Sequence, residues 1–189
     1  MKMKSNLKKL AVSSIFIALS TILSELIPSI SLPFGGSITV LSMVPVCLIG
    51  IMFGVKWGIC SGLVYGVIQM FFGFGNFAYA TGFIAVLTIA LFDYVVAYGV
   101  LGLSGVFMKV VKNRAVAALL GVILCCFLRF VCHFITGVTV WREIVSTWGA
   151  IWYSITYNAS YMLPEIITTP LGVFLLIKTK ALNSLISKA

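Results

Sequence analysis

The sequence predicts an all-α membrane protein with six transmembrane helices and cytoplasmic N- and C-termini. Of its 189 residues, 61% are hydrophobic and only 9% are charged. The charges are clustered, so that none lies between Trp57 and Phe92. A run of about 20 mainly apolar residues is long enough to cross a bilayer. A soluble domain is excluded, because such domains carry roughly 25% charged residues.

Breaks rich in Pro, Gly and Ser divide the chain into six helices, which we assign to one integral membrane domain over residues 1–189. The basic N-terminus resembles a signal peptide. We interpret it as part of a retained first helix, because the apolar stretch runs on towards Pro28 and no A-x-A-like cleavage site precedes a polar region. The helices are predicted over residues 7–27, 38–53, 57–72, 82–106, 115–136 and 153–177.

The positive charges orient these helices. Eleven of the thirteen Lys and Arg residues lie on one side of the membrane in the six-helix arrangement: Lys2, Lys4, Lys8, Lys9, Lys56, Lys109, Lys112, Arg114, Lys178, Lys180 and Lys188. Cytoplasmic loops of membrane proteins carry such an excess, so this side is cytoplasmic. Topology therefore explains the net charge of +9 without a nucleic-acid partner.

Two sets of small residues are interpreted as packing groups. The five cysteines lie in apolar segments without a C-x-x-C pair, which favours small buried side chains over a metal or redox site. Glycines recur at four-residue spacing across the second and third helices, which lets helices approach closely in lipid. They are Gly50, Gly54, Gly58, Gly62 and Gly66.

Ionisable and polar side chains within the apolar helices need partners or a wet cavity, because each charge costs roughly 2.5–3.5 kcal/mol on insertion scales. Arg129 and the chain's single histidine, His133, share one face of the fifth helix. Similar residues occupy the fourth and sixth helices: Asp93, Tyr94, Asn158, Tyr161 and Glu165. One interpretation is a buried Asp93–Arg129 ion pair that only joins helices. The other is a pocket open to the outside.

Aromatic residues at the outer end of the fifth and sixth helices favour the pocket. They are Trp141, Trp148, Trp152, Tyr153 and Tyr157. An interfacial aromatic belt explains some of them, but not the polar groups at similar depth beneath. Aromatic faces attract flat rings and cations, a carboxylate favours a cation, and His, Asn and Tyr can read the edge of a heterocycle. The predicted ligand is a small aromatic or cationic solute.

Five stretches of the chain, in order, resemble the thiamine-specific substrate-binding subunits (S components) of energy-coupling factor (ECF) transporters, the ThiT or YuaJ-like family. They are GGSITVLSMVP (35–45), GLVYGVIQ (62–69), FDYVVAYGVLGLSG (92–105), RFVCHFITGVTVW (129–141) and YSITYNASYMLPE (153–165). The resemblance implies a six-helix subunit of the bacterial cell membrane, with an ECF S-component-like bundle, that binds thiamine at its outer face.

The resemblance also implies roles for particular residues. Asp93 lies near the positive thiazolium ring, where the family often has the longer glutamate. Trp141 stacks on the aminopyrimidine, and Arg129 orients the carboxylates or reaches the hydroxyethyl end. The full set placed against thiamine is Asp93, Tyr94, Arg129, His133, Trp141, Tyr153 and Asn158. A lid or supporting layer is formed by Gly36, Ser37, Tyr161 and Glu165.

Transport by this family requires partners, as the resemblance implies. The chain has no P-loop, so the energy comes from a transmembrane coupling subunit and two ATP-binding subunits. Ala11, Ser14 and Ala18 on the first helix are expected to contact the coupling subunit, although ordinary packing explains them as well. No catalytic residue, metal or cofactor is expected; thiamine is the ligand.

Three alternatives remain at the level of sequence. In the first, the solute is another vitamin or a thiamine precursor. In the second, the chain is an ion-coupled carrier that works alone. The third is an intramembrane enzyme that uses His133 with Asp93 or Glu165. The enzyme lacks a Ser or Cys nucleophile at a recognisable spacing, since Cys132 is adjacent to His133 and points elsewhere on the helix.

Overall fold

The computed structural model describes residues 2–27, 29–32, 36–140 and 147–179, and most of these residues are helical. Within these ranges five helices are long and apolar enough to cross a membrane, and a sixth is shorter. This confirms the predicted class. In chain order the helices are α1 (Lys2–Glu25), α2 (Val44–Phe53), α3 (Val55–Phe72), α4 (Phe83–Lys109), α5 (Arg114–Val140) and α6 (Thr147–Lys178).

The second helix begins at Val44, later than the expected start near Ile38. The preceding residues form a small hairpin instead, in which β1 (Ile30–Ser31) pairs antiparallel with β2 (Ser37–Ile38). Leu41 then adopts a φ of 58°, which no α-helix accommodates. The ten residues of α2 span only about 15 Å, and they are buried from Val44 to Ile51 inside the bundle.

Glycines bring α3 against α4, as expected. A Cβ atom on Gly58 would lie 2.6 Å from the carbonyl oxygen of Gly102, and one on Gly62 would lie 2.5 Å from that of Tyr98. These distances leave no room for a side chain, so the two backbones touch. Gly54 differs, because nothing lies within 4 Å of its Cβ position and its φ of 87° turns the chain from α2 into α3.

Helix α4 is not a regular α-helix. Residues Ile89–Val95 form a π-helical segment, and Val100–Lys109 are wound as a 3-10 helix. Short π-helical segments are rare and occur often at functional sites. This one contains Asp93 and Tyr94, and its wider turn changes which side chains share a face of α4.

The hydrophobic core lies towards the end of the bundle that carries the basic residues. It includes Cys47, Cys125 and Cys126, which agrees with their interpretation as packing groups, whereas Cys60 is exposed on the outside of the bundle. The alternation of the helices places the start of α1, the α2–α3 and α4–α5 connections and the end of α6 at this end. The opposite end holds the hairpin and most of the buried polar side chains.

Candidate functional site

A cavity of about 460 Å³ opens at the end of the bundle opposite the basic residues. Its walls come from α1, α3, α4, α5, α6 and the hairpin. The chain has four acidic residues, and three of them, Glu25, Asp93 and Glu165, line this one cavity. Arg129 and His133 also line it. With His133 neutral, three carboxylates and one guanidinium give the lining a negative net charge, in a chain whose net charge is +9.

Asp93 and His133 are hydrogen-bonded across α4 and α5. The Oδ1 atom of Asp93 lies 2.9 Å from Nδ1 of His133. Because a carboxylate only accepts hydrogen bonds, Nδ1 carries the hydrogen. The other ring nitrogen, Nε2, is buried and has no hydrogen-bond partner among the described residues. Asp93 therefore fixes the orientation of the imidazole.

Arg129 does not pair with Asp93, so the buried ion pair considered from the sequence does not form. Its guanidinium carbon lies 4.0 Å from the centre of the Tyr98 ring instead. Arg129 is 9% exposed, and within the described part of the chain its Nε and Nη1 atoms have no hydrogen-bond acceptor. Two donor atoms of a cavity-lining residue are thus left without an acceptor in the described part of the chain.

Three tyrosines one turn apart form an aromatic wall along α6. The rings of Tyr153 and Tyr157 are stacked, with centres 5.5 Å apart and an interplanar angle of 8°. Tyr161 meets Tyr157 edge-on at 5.8 Å and also packs edge-on against His133 at 5.9 Å. Tyr157 was expected among the aromatic residues at the outer end but was not assigned a contact with the ligand, although its four-residue spacing from both neighbours was visible in the sequence.

Asn158 joins α5 to α6. Its Nδ2 atom donates to the carbonyl oxygen of Ser154 at 2.8 Å and lies 3.3 Å from the carbonyl oxygen of His133, while its Oδ1 atom accepts from Tyr161. Asn158 lines the cavity, as expected, but its amide hydrogens are engaged within the protein. A direct bond from Asn158 to a ligand stays a prediction.

The hairpin is attached to α6 at two points. The backbone N–H of Gly36 donates to the Tyr157 hydroxyl at 2.8 Å. Both the backbone N–H and the hydroxyl of Thr39 donate to Oε1 of Glu165, at 3.2 and 2.8 Å. Ser37 lies between these points and lines the cavity. Glu165 thus holds the hairpin by hydrogen bonds to Thr39, and this segment was expected to serve as a lid.

Tyr94 fastens the connection that follows α3. Its hydroxyl donates to the carbonyl oxygen of Gly73 at 2.8 Å and accepts from Nδ2 of Asn76 at 2.9 Å. A Cβ atom on Gly73 would lie 2.0 Å from the Tyr94 hydroxyl oxygen, so a side chain there would displace Tyr94. The expected contact of Tyr94 with the ligand therefore depends on its ring.

Two other expectations concern Trp141 and the first helix. Trp141, the expected stacking residue, lies outside the described residues. Ala11, Ser14 and Ala18 are exposed on α1, and the Ser14 hydroxyl bonds to the carbonyl oxygen of Leu10 within the helix. The surface expected to meet a coupling subunit is therefore accessible.

Comparisons with known proteins agree on one family. Residues 10–184 match the family model described as thiamine transporter protein (Thia_YuaJ). The chain is 33% identical to the thiamine transporter ThiT of Bacillus subtilis (strain 168), with 79% of each chain covered. Its structure is similar to that of ThiT from Listeria monocytogenes, with a TM-score of 0.72, 26% identity, and coverage of 96% of this chain and 98% of the other.

Proposed function

We propose, from the premise that this chain belongs to the thiamine transporter family (Thia_YuaJ), that its outer cavity captures thiamine for a multi-subunit importer. Membership makes the chain a multi-pass thiamine uptake protein of the cell membrane and not an enzyme. The proposal adds three points: the cavity is the thiamine site, thiamine is captured from the outer side, and partner subunits supply the energy.

The observation that carries the proposed site is the concentration of acidic residues around one cavity. Thiamine joins an aminopyrimidine ring to a positively charged thiazolium ring with a hydroxyethyl arm. Three of the four carboxylates of a strongly basic chain line the cavity and favour a cation. The volume of about 460 Å³ lies within the roughly 300–1,000 Å³ of small-molecule sites.

The remaining groups suit the neutral parts of the ligand. The Tyr153–Tyr157–Tyr161 wall offers aromatic faces to flat rings. Nε2 of His133 offers a directional contact to the aminopyrimidine edge, and Arg129 offers donors to the hydroxyl oxygen. In the proposed pose Asp93 holds His133 through Oδ1 and faces the thiazolium ring with Oδ2, while Trp141 stacks on the pyrimidine.

Binding of thiamine to purified protein tests the site. Protein produced without thiamine and titrated with it should lose tryptophan fluorescence at a one-to-one ratio, and riboflavin and biotin serve as controls. A response to one of those vitamins and none to thiamine would overturn the proposal in favour of another vitamin. A thiamine precursor is tested in the same titration.

We infer further that uptake requires an ECF-type coupling subunit and two ATP-binding subunits. The exposed small residues of α1 offer a surface for close helix contact with such a subunit. Membrane vesicles containing this chain should accumulate thiamine only when the partner subunits and ATP are supplied. Accumulation by the chain alone, driven by an ion gradient, would support a stand-alone carrier instead.

A further inference from the structure

Tyr98 packs against the Arg129 side chain at the cavity, although it was not among the expected site residues. It lines the cavity, and its ring faces the guanidinium at 4.0 Å. No carboxylate of the described residues lies within ion-pair distance of Arg129. Within the described part of the chain, the aromatic face of Tyr98 therefore compensates this cation.

Tyr98 is itself held by a buried polar cluster. The ring of Tyr65 meets the Tyr98 ring edge-on, with centres 4.8 Å apart. The Tyr98 hydroxyl lies 3.5 Å from Oε1 of Gln69, whose Nε2 atom donates to Ser24 at 2.7 Å and to Tyr65 at 3.1 Å. Tyr65 and Gln69 are buried, so these contacts fix the orientation of the Tyr98 ring.

Helix geometry separates the guanidinium from the proposed cation site. Arg129 and His133 are one turn apart on α5, about 6 Å along the axis. A guanidinium only donates hydrogen bonds, and it repels a thiazolium ring. The group of thiamine that suits it is the hydroxyl oxygen, at the end of an arm that extends from the thiazolium ring.

We propose that Tyr98 is a positioning residue for this ligand contact. Its ring holds the Arg129 guanidinium against α4, so that the Nε and Nη1 hydrogens meet the hydroxyl oxygen of the ligand. The proposal rests on the proposed function, because it names the part of thiamine that Arg129 recognises. It predicts that Tyr98 affects the affinity for the hydroxyl arm and not for the two rings.

The test compares thiamine with an analogue in which ethyl replaces the hydroxyethyl arm. In the purified full chain, Tyr98→Leu should raise the Kd for thiamine about tenfold and the Kd for the analogue less than about threefold. Tyr98→Phe keeps the ring and should stay within about threefold of wild type for both. Arg129→Met should show the selective loss, and adding Tyr98→Leu to it should cause no further loss. Tyr79→Leu, outside the cavity lining, is the control.

A fluorinated phenylalanine series at position 98 keeps the ring shape and covers the case in which Tyr98→Leu fails to fold. Each added fluorine weakens the negative face of the ring, so the thiamine affinity should fall stepwise while the analogue affinity stays constant. Equal losses for both compounds, or a flat series, would overturn the proposal. Wild-type protein that binds neither compound would contradict the proposed function itself, which is a different result.

Discussion

Asp93 and His133, 40 residues apart in the chain, meet with Oδ1 2.9 Å from Nδ1. The contact links the π-helical segment of α4 to the second half of α5 at the cavity wall. It gives Asp93 two tasks in the proposed site: to orient the imidazole through one oxygen and to leave negative charge for a cationic ligand.

Replacement of Asp93 by Asn should weaken thiamine binding by tenfold or more, because a bond from a charged group is worth roughly 1.5–3 kcal/mol and the cation loses its counter-charge. A neutral analogue with the thiazolium replaced by an uncharged ring should lose much less. Calorimetric titration of both compounds measures the difference. Equal losses would mean that Asp93 only holds His133.

Replacement of Thr39 by Val removes the hydroxyl that donates to Glu165 at 2.8 Å. If the hairpin covers the bound ligand, its weaker attachment should speed thiamine release about tenfold, as expected for a lost bond to a carboxylate. Stopped-flow tryptophan fluorescence measures the release rate. Thr168→Val, an exposed threonine whose hydroxyl bonds within α6, is the matched control. Equal release rates in both variants would remove the hairpin from the gating step.

Replacement of Gly73 by Ala should lower the thermal midpoint, because its Cβ would lie 2.0 Å from the Tyr94 hydroxyl oxygen. Overpacking of this kind costs typically about 1–3 kcal/mol. Adding Tyr94→Phe removes the oxygen but leaves ring carbons 2.7 and 2.9 Å from the Cβ position, so it should restore only part of the midpoint. Gly82→Ala, with open space at its Cβ position, should change it little. A Gly73→Ala midpoint equal to that of wild type would show that the contact is easily displaced.

Replacement of Trp141 by Ala should weaken thiamine binding substantially, since stacking on one base-like ring is worth roughly 1–3 kcal/mol. This prediction comes from the sequence. Trp152→Ala is a suitable control, because Trp152 is 64% exposed on α6 and does not line the cavity. The Kd values of the two variants measure the effect, and an unchanged Kd in Trp141→Ala would remove Trp141 from the site.

The sequence predicted the helices well because their apolar lengths and positive charges follow from the bilayer itself. The shared helix faces likewise brought Arg129 and His133 to one wall. The hairpin was missed because its strands are two residues long, and such short pairs depend on contacts outside themselves, here Thr39 with Glu165 across 126 residues. Spacing along one helix cannot reveal such distant partners.

The partner of Arg129 was missed for a related reason. Charge alone favours Asp93, but packing of α3 on α4 places the Tyr98 ring under the guanidinium. The π-helical segment also alters the spacing on α4, so a regular helical projection misplaces its side chains. Tertiary packing, and not residue type, decided which group compensates the cation.

Calorimetric titration of the purified full chain with thiamine tests the central claim most directly. The account predicts one thiamine bound per chain, weakened tenfold or more in Asp93→Asn, with no comparable binding of riboflavin or biotin. Absence of thiamine binding by folded wild-type protein, or unchanged affinity in Asp93→Asn, would contradict the claim that the acidic cavity selects this cation.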